Sequence, residues 1–230
     1  MLDLDGNGVR TIAAHNGVLF DLNATGTAHK VGWASASDGL LVMDRNHDGK
    51  INDGTELFGV ATVMADGSRA GNGYAAMATL DSNHDGHLTQ ADKQFADLKL
   101  WVDANSNGRT DGGELHGLAE FGVVSLDLKG LVGTEVDNGN LLGLVSSYTS
   151  ADGAQHAMAD VWFAKDVAPG AAAAPPLHEL LAGPVADLLP GAPAAAAPTS
   201  AASTGPVSTA MVSVDRSLLP VDDNKTQPLI

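Results

Sequence analysis

The sequence contains no cysteine, few basic residues and no long apolar run. Because none of the 230 residues is cysteine, disulfides, thiolate catalysis and cysteine-based zinc sites are excluded. Lys and Arg total 12 against 28 Asp and Glu, which gives a formal net charge of −16. This acidity argues against binding to nucleic acid and to an anionic membrane surface. Without an apolar run of about 18 residues, no membrane span is expected.

Proline and the aromatic residues occupy different parts of the chain. All ten prolines lie at or after Pro169, and all ten aromatic residues lie at or before Phe163. We therefore predict that residues 1–166 bury a core and form one domain. The remainder, 167–230, is rich in Ala and Pro, a composition typical of disorder. The sequence predicts a disordered Ala/Pro-rich tail there.

The front part mixes signals for strands and for helices. The short runs "GVLFDLN", "VGWAS" and "GLLVMD" are bounded by Gly, Asn and Asp, as strands are. Residues 73–80 and 90–101 have the apolar spacing of helices, and "ELHGLAEFG" predicts a third helix that ends at Gly122. The segment 143–163 predicts a hairpin turning at Asp152 and Gly153. The expected fold class is α+β, a small mixed domain of short helices and antiparallel strands.

Acidic clusters rich in Gly and Asn begin at Asp3, Asp44, Asp81 and Asp103. A calcium loop of the EF-hand type places oxygen ligands at positions 1, 3, 5, 7, 9 and 12, with Gly at position 6 for a sharp turn. Position 7 contributes its backbone carbonyl, and position 12 a carboxylate. The clusters therefore predict EF-hand-like calcium loops.

Two of the clusters fill every ligand position of this template. Loop 103–114 offers Asp103, Asn105, Asn107, the Arg109 carbonyl, Asp111 and Glu114. Loop 81–92 offers Asp81, Asn83, Asp85, the His87 carbonyl, Thr89 and Asp92. The final Asp of the second loop is shorter than Glu, which predicts a weaker site or one that tolerates Mg²⁺. Solvated turns are the alternative interpretation.

The other clusters are less regular. Loop 44–56 offers Asp44, Asn46, Asp48 and the Lys50 carbonyl, but its closing acid arrives one residue late, as Glu56. The opening cluster offers Asp3, Asp5 and Asn7 without an acid at the twelfth position. Both clusters favour a metal over a plain turn. The segment "DLNATG" (21–26) fits less well and favours a turn.

Other chemistries have little support in the sequence. The eight His residues are scattered without an H-E-x-x-H pattern. No G-x-S-x-G, P-loop or G-x-G-x-x-G motif occurs, so neither serine hydrolysis nor nucleotide binding is indicated. We predict no catalytic residue in this chain.

The order of motifs from "LDLDGNGV" through "DGLLVMDRN", "GTELFG" and "LWVDANSNG" to "ELHGLAEFGVVSLDL" resembles the self-processing module of the iron-regulated FrpC-type RTX proteins of Gram-negative bacteria. The resemblance runs from Leu2 to about Lys165. It implies a calcium-loaded mixed α/β domain in a protein exported by type I secretion. It also implies calcium-triggered cleavage of an Asp-Pro bond at the N-terminal edge of the module, followed by cross-linking of the aspartyl end to a lysine. This chain departs from the pattern, because it contains no Asp-Pro dipeptide.

The first functional hypothesis is a non-catalytic calcium-binding module whose folding depends on the ion. Its partners would be calcium ions, and its location extracellular or at the cell surface, reached without an N-terminal signal peptide. A calcium-triggered autoprocessing module of a larger parent is the alternative. A dockerin-like adhesion module is a third possibility, suggested by loops that start 22 residues apart.

Overall fold

The computed structural model describes residues 1–166. The segment 167–230, for which the sequence predicts disorder, lies outside the described residues, and that expectation stays a prediction. The described residues form twelve strands, one α-helix and three 3₁₀ turns. None of the described helices is long and apolar enough to cross a membrane.

The strands are β1 (Thr11–Ile12), β2 (Val18–Phe20), β3 (His29–Val31), β4 (Trp33–Ala34), β5 (Leu40–Val42), β6 (His87–Thr89), β7 (Lys99–Trp101), β8 (Leu115–Gly117), β9 (Val123–Asp127), β10 (Leu131–Asp137), β11 (Asn140–Ser150) and β12 (Gln155–Trp162). The α-helix is α1 (Gly73–Ala78), and the 3₁₀ turns are Ala14–Asn16, Phe95–Asp97 and Leu118–Phe121. Asn72 caps α1 by accepting a hydrogen bond from the Ala75 amide at 2.8 Å.

All strand pairs within residues 1–166 are antiparallel, and they form four sheets. The largest sheet has the order β10-β11-β9-β6, with β12 also paired to β11. The long strand β11 organises this sheet, because β10, β9 and β12 all pair with it. The hairpin predicted for 143–163 is present as β11 and β12. The smaller sheets are β5-β7-β8, β1-β4 and β2-β3.

Two main apolar clusters hold these sheets together. The first packs α1 against the large sheet through buried residues such as Tyr74, Met77 and Leu126. The second surrounds an aromatic group in which the rings of Phe20 and Trp101 lie 5.0 and 5.4 Å from that of Trp33. Because β4 and β7 each supply one of the two tryptophans, this cluster joins the small sheets to one another.

The α+β prediction with EF-hand-like loops is wrong, because the described residues are 36% strand and only 10% helical. Of the three predicted helices, the first is confirmed in shortened form as α1. Residues 90–101 instead form turns, the 3₁₀ turn Phe95–Asp97 and β7, which lies between β5 and β8. The third predicted helix is β8 followed by the 3₁₀ turn Leu118–Phe121. Strand pairing on both sides of β7 satisfies its backbone, and this tertiary context overrides the helical spacing.

Candidate metal centres

The acidic loops 44–56, 81–92 and 103–114 share one backbone arrangement at their first turn. In each, the leading Asp accepts a hydrogen bond from the amide of the Gly five residues later. The nitrogen–oxygen distances are 2.8 Å for Asp44 and Gly49, 2.9 Å for Asp81 and Gly86, and 2.8 Å for Asp103 and Gly108. All three glycines have positive φ, between 68° and 83°, where a side chain is strained. The spacing in the sequence therefore corresponds to a real and repeated chain reversal.

The residues at positions 3 and 5 continue this arrangement. The Asn46 and Asn83 side-chain oxygens accept hydrogen bonds from the amides two residues later, at 2.9 and 3.0 Å. The side chains at position 5 do the same at 2.7–2.9 Å: Asp48 with Lys50, Asp85 with His87, and Asn107 with Arg109. Each loop thus fixes several side-chain oxygens within one tight turn.

The closing acid of loop 81–92 connects the two ends of that loop. Asp92 accepts hydrogen bonds from the Ser82 and Thr89 amides at 2.8 and 3.0 Å, and it is only 3% exposed. The pKa of Asp92 is lowered, chiefly by the hydrogen bond from the Thr89 amide. Burial acts in the opposite direction, and the Ser82 amide lowers the pKa further. This carboxylate is therefore held in its charged form.

Glu56 plays the same part in loop 44–56, although it comes one residue later. Its two oxygens accept hydrogen bonds from the Arg45 amide at 3.2 Å and the Asn52 amide at 2.8 Å. These amides stand at positions 2 and 9 of the loop, as Ser82 and Thr89 do in theirs. The side chain of Glu56 is buried. Glu56 thus connects the two ends of its loop through backbone hydrogen bonds, and its role as a metal ligand stays a prediction.

Loop 103–114 is anchored in the aromatic cluster. Asp103 accepts a hydrogen bond from the indole nitrogen of Trp33 at 2.9 Å, and Glu114 accepts one from that of Trp101 at 3.3 Å. Both carboxylates are buried. The Asp111 amide also donates to Glu114, at 3.0 Å. The first and last acids of this loop therefore connect directly to the core.

The middle of loop 103–114 brings three predicted ligand side chains together. The amide nitrogens of Asn105 and Asn107 donate to Oδ2 of Asp111 at 2.9 and 2.8 Å. These two hydrogen bonds lower the pKa of Asp111. Positions 3 and 5 of the loop thus both contact position 9.

The opening cluster forms a turn around Asp3. Its two carboxylate oxygens accept hydrogen bonds from the Gly6 and Gly8 amides at 2.8 and 2.9 Å, and Asn7 donates to Asp5 at 2.7 Å. Oxygens of Asp3, Asp5 and Asp38 lie within 4.8 Å of one another. Asp38 is fully buried, and its pKa is raised by burial and, further, by the charges of Asp3 and Asp5.

Sequence reasoning missed Asp38. It lies 33 residues beyond Asp5 and follows no loop spacing, so only the fold brings it to the cluster. The segment 21–26 also forms a tight turn, in which Asp21 accepts from the Thr25 and Gly26 amides at 3.0 and 2.6 Å.

The charges of these loops fit a hard cation such as calcium, which prefers oxygen ligands. Within residues 1–166, the ion pairs are Arg10 with Asp137 and His116 with Glu120. None of the acids at the first or last loop positions takes part in an ion pair there. Buried carboxylates without a positive partner are costly, and a bound cation would supply that partner.

Comparison with known proteins identifies relatives of this chain. Residues 1–164 match the model of the SPM domain. The chain is also 47% identical over 168 residues to the iron-regulated protein FrpA of Neisseria meningitidis serogroup C. That alignment covers 72% of this chain and 15% of the relative, so the chain spans a small part of the relative's length. These matches confirm the resemblance to an FrpC- or FrpA-like region.

Proposed function

The chain belongs to the SPM-domain family, and on that premise we propose that it is a calcium-binding module of a secreted RTX-type protein. In this proposal calcium ions bind at the acidic loops and complete the fold. The relationship to FrpA, an iron-regulated protein, supports the RTX-type context. Secretion to the cell exterior or surface belongs to the same proposal.

The observation that carries this proposal is the buried closing acid of each of the loops 44–56, 81–92 and 103–114. Glu56, Asp92 and Glu114 are between 2% and 7% exposed. Each accepts a backbone hydrogen bond from position 9 of its own loop. A surface turn does not require a buried carboxylate at its far end, whereas a calcium loop requires a carboxylate there. The proposed ligands remain those predicted from the sequence.

The position of the loops in the sheets explains how binding would promote folding. Loop 44–56 follows β5, loop 81–92 contains β6, and loop 103–114 connects β7 to β8. Since these strands are only three residues long, they gain little from their own pairing. An ion bound at a loop would fix the strand ends, and its binding free energy would become folding free energy. We expect dissociation constants of roughly 10⁻⁴–10⁻³ M, as in extracellular modules.

Low cytosolic calcium would then keep the chain loosely folded before export, and higher external calcium would complete the fold. The test is a set of thermal melts followed by circular dichroism in chelator, in excess calcium and in excess magnesium. We expect a large gain in melting temperature with calcium and a small one with magnesium. Identical melts in calcium and in chelator would refute the proposal.

A cavity near the first residues favours a second candidate function, which is calcium-triggered autoprocessing of a longer parent. The cavity measures about 390 Å³, and its lining includes Met1, Phe58, Gly73 and Asp160. Oδ2 of Asp160 accepts a hydrogen bond from the Gly73 amide at 2.9 Å, and burial raises the pKa of Asp160. An upstream segment attached to Met1 would begin at this cavity.

This candidate is tested with the chain extended upstream by a segment that contains an Asp-Pro bond. Mass spectrometry after incubation in calcium would show two fragments separated at that bond, and incubation in chelator would show none. An extended chain that folds in calcium and stays intact would contradict this function, while leaving calcium binding untouched.

A further inference from the structure

Backbone pairing brings the opening cluster next to a second turn of the chain. Leu2 and Gly39 exchange two backbone hydrogen bonds, at 2.8 and 3.1 Å. The residues that adjoin this pair, Asp3 and Asp38, are therefore neighbours despite their separation in sequence. The Asp3 amide also donates to the Ala157 carbonyl of β12 at 3.0 Å. The position of the two carboxylates is thus fixed by strand pairing and not by a flexible loop.

Asp38 has one oxygen with no hydrogen-bond partner. Its Oδ2 accepts from the Arg10 amide at 2.7 Å and from the Ser35 hydroxyl at 3.0 Å. Its Oδ1 is buried and is the one buried side-chain polar atom without a partner in the described part of the chain. Such an atom is costly, and here it belongs to a carboxylate that contributes an oxygen to the cluster with Asp3 and Asp5.

No basic side chain within residues 1–166 forms an ion pair with this cluster. Arg10 is the nearby candidate in the sequence, but its guanidinium is engaged elsewhere. It lies 3.6 Å from the Asp137 carboxylate and donates to the Asn7 carbonyl at 3.1 Å. The carboxylates of Asp3, Asp5 and Asp38 therefore accept amide and hydroxyl hydrogen bonds but have no basic side chain of the described residues paired with them. The positive charge that acts on Asp38 is the N-terminal ammonium of Met1.

We propose that Asp38 completes a site for a hard divalent cation together with Asp3 and Asp5. This site does not follow the twelve-residue template, because one ligand comes from a distant turn. The inference deepens the proposed function and rests on it for the choice of calcium as the ion. The free oxygen of Asp38 gains a partner on binding, and the negative charge of the cluster is offset. Each carboxylate oxygen has two lone pairs, so those that accept amide hydrogen bonds can still ligate a metal.

The bound cation would tie the first residues of the chain to the body of the domain. Asp3 already contacts β11, since the Tyr148 hydroxyl donates to its carbonyl at 2.7 Å. With the ion present, the segment from Asp3 to Gly8 would be held by the turn at Asp38 as well as by β11 and β12. The ion would therefore strengthen the anchoring of the N-terminal segment that these hydrogen bonds already provide.

The test is the number of calcium ions bound at saturation, measured by equilibrium dialysis on the full chain. The variants are Asp38→Asn and Asp5→Asn, and the matched control is Asp66→Asn. Asp66 is exposed and makes a similar turn contact, with the Ser68 amide at 2.9 Å. We expect each test variant to bind one ion fewer than wild type and the control to bind the wild-type number. Because Asp5 is exposed, its variant decides the question if Asp38→Asn does not fold.

Wild-type stoichiometry in folded Asp38→Asn and Asp5→Asn would overturn the inference. In that case the buried oxygen of Asp38 is tolerated without a metal, and an amide can take the place of the carboxylate. The variant Glu114→Gln, measured in parallel, separates this result from failure of the proposed function. An ion lost from Glu114→Gln but not from the Asp38 and Asp5 variants refutes only the additional site. A wild-type chain that binds no calcium refutes both proposals.

Discussion

The substitution Glu114→Gln tests calcium binding at loop 103–114 with little change of shape. Glu114 is buried, and its Oε2 accepts hydrogen bonds from the Asp111 amide and the Trp101 indole. Glutamine retains an oxygen that can accept both, but it has no charge and cannot bind calcium through two carboxylate oxygens. We therefore expect the calcium-free stability to change little and the stabilisation by calcium to fall.

The expected loss follows from the linkage between binding and folding. For a dissociation constant between 10⁻⁴ and 10⁻³ M and about 10 mM free calcium, one site contributes about 1.4–2.7 kcal/mol. In a domain of this size, 1 kcal/mol shifts the melting temperature by about 2–4 °C. The variant should lose an increment of about 3–11 °C from the calcium-induced rise in melting temperature.

The assay compares thermal melts and urea unfolding in calcium and in chelator for wild type and variant. The difference between the two calcium increments isolates the ion-dependent part from any direct packing effect. If the wild-type chain does not fold in chelator, the calcium midpoint of folding replaces the increment. The control is Glu120→Gln, an exposed acid on the following 3₁₀ turn that lies outside the loop. A full calcium increment in Glu114→Gln would refute the assignment of this loop.

Three further outcomes are expected. The first concerns the Trp33 indole, which donates to Asp103. In a fluorescence titration with calcium, Trp33→Phe should remove most of the change in tryptophan emission, and the control Trp162→Phe should retain that change. Burial raises the pKa of Asp137, but hydrogen bonds from β1 outweigh burial and lower it overall. The stability that the Asp137 carboxylate contributes is therefore present above the unfolded pKa of about 3.9. This stability is lost as the pH falls through the lower folded pKa. Melts between neutral and acid pH should therefore show a weaker acid dependence for Asp137→Asn. Finally, Gly108→Ala should destabilise the domain by about 1–3 kcal/mol in urea unfolding, since the added Cβ would lie 2.8 Å from a β2 side chain, and Gly86→Ala should cost less because its surroundings are open.

Much of the local structure could be predicted from the sequence, because it depends on residues close together in the chain. The Asx turns at Asp44, Asp81 and Asp103 need only an acid and a glycine five residues later, and all three form. The β11–β12 hairpin likewise depends on a local turn between two alternating segments. The delayed closing acid Glu56 could also be found, since the template limits where a carboxylate can reach.

Two of the three predicted helices are wrong, because the structure of those segments depends on distant strands. Residues 90–101 have apolar residues at helical spacing, yet Leu100 and Trp101 are completely buried in a strand that pairs on both sides. The spacing of apolar residues cannot separate a short helix from a turn followed by a buried strand. The strands that enclose β7 come from 40–42 and 115–117, far outside any local window.

The leading Asp of a cluster does not by itself separate a turn from a candidate metal site. Asp21 and Asp81 both accept a hydrogen bond from the glycine amide five residues later, at 2.6 and 2.9 Å. What differs is the far end, where Asp92 is buried and closes the loop of Asp81. The opening cluster has no such acid in its own segment, but the fold supplies Asp38 from another turn. A sequence template finds closing acids only when they lie in the same loop, so sites completed by tertiary contacts must be found from burial and unpaired oxygens.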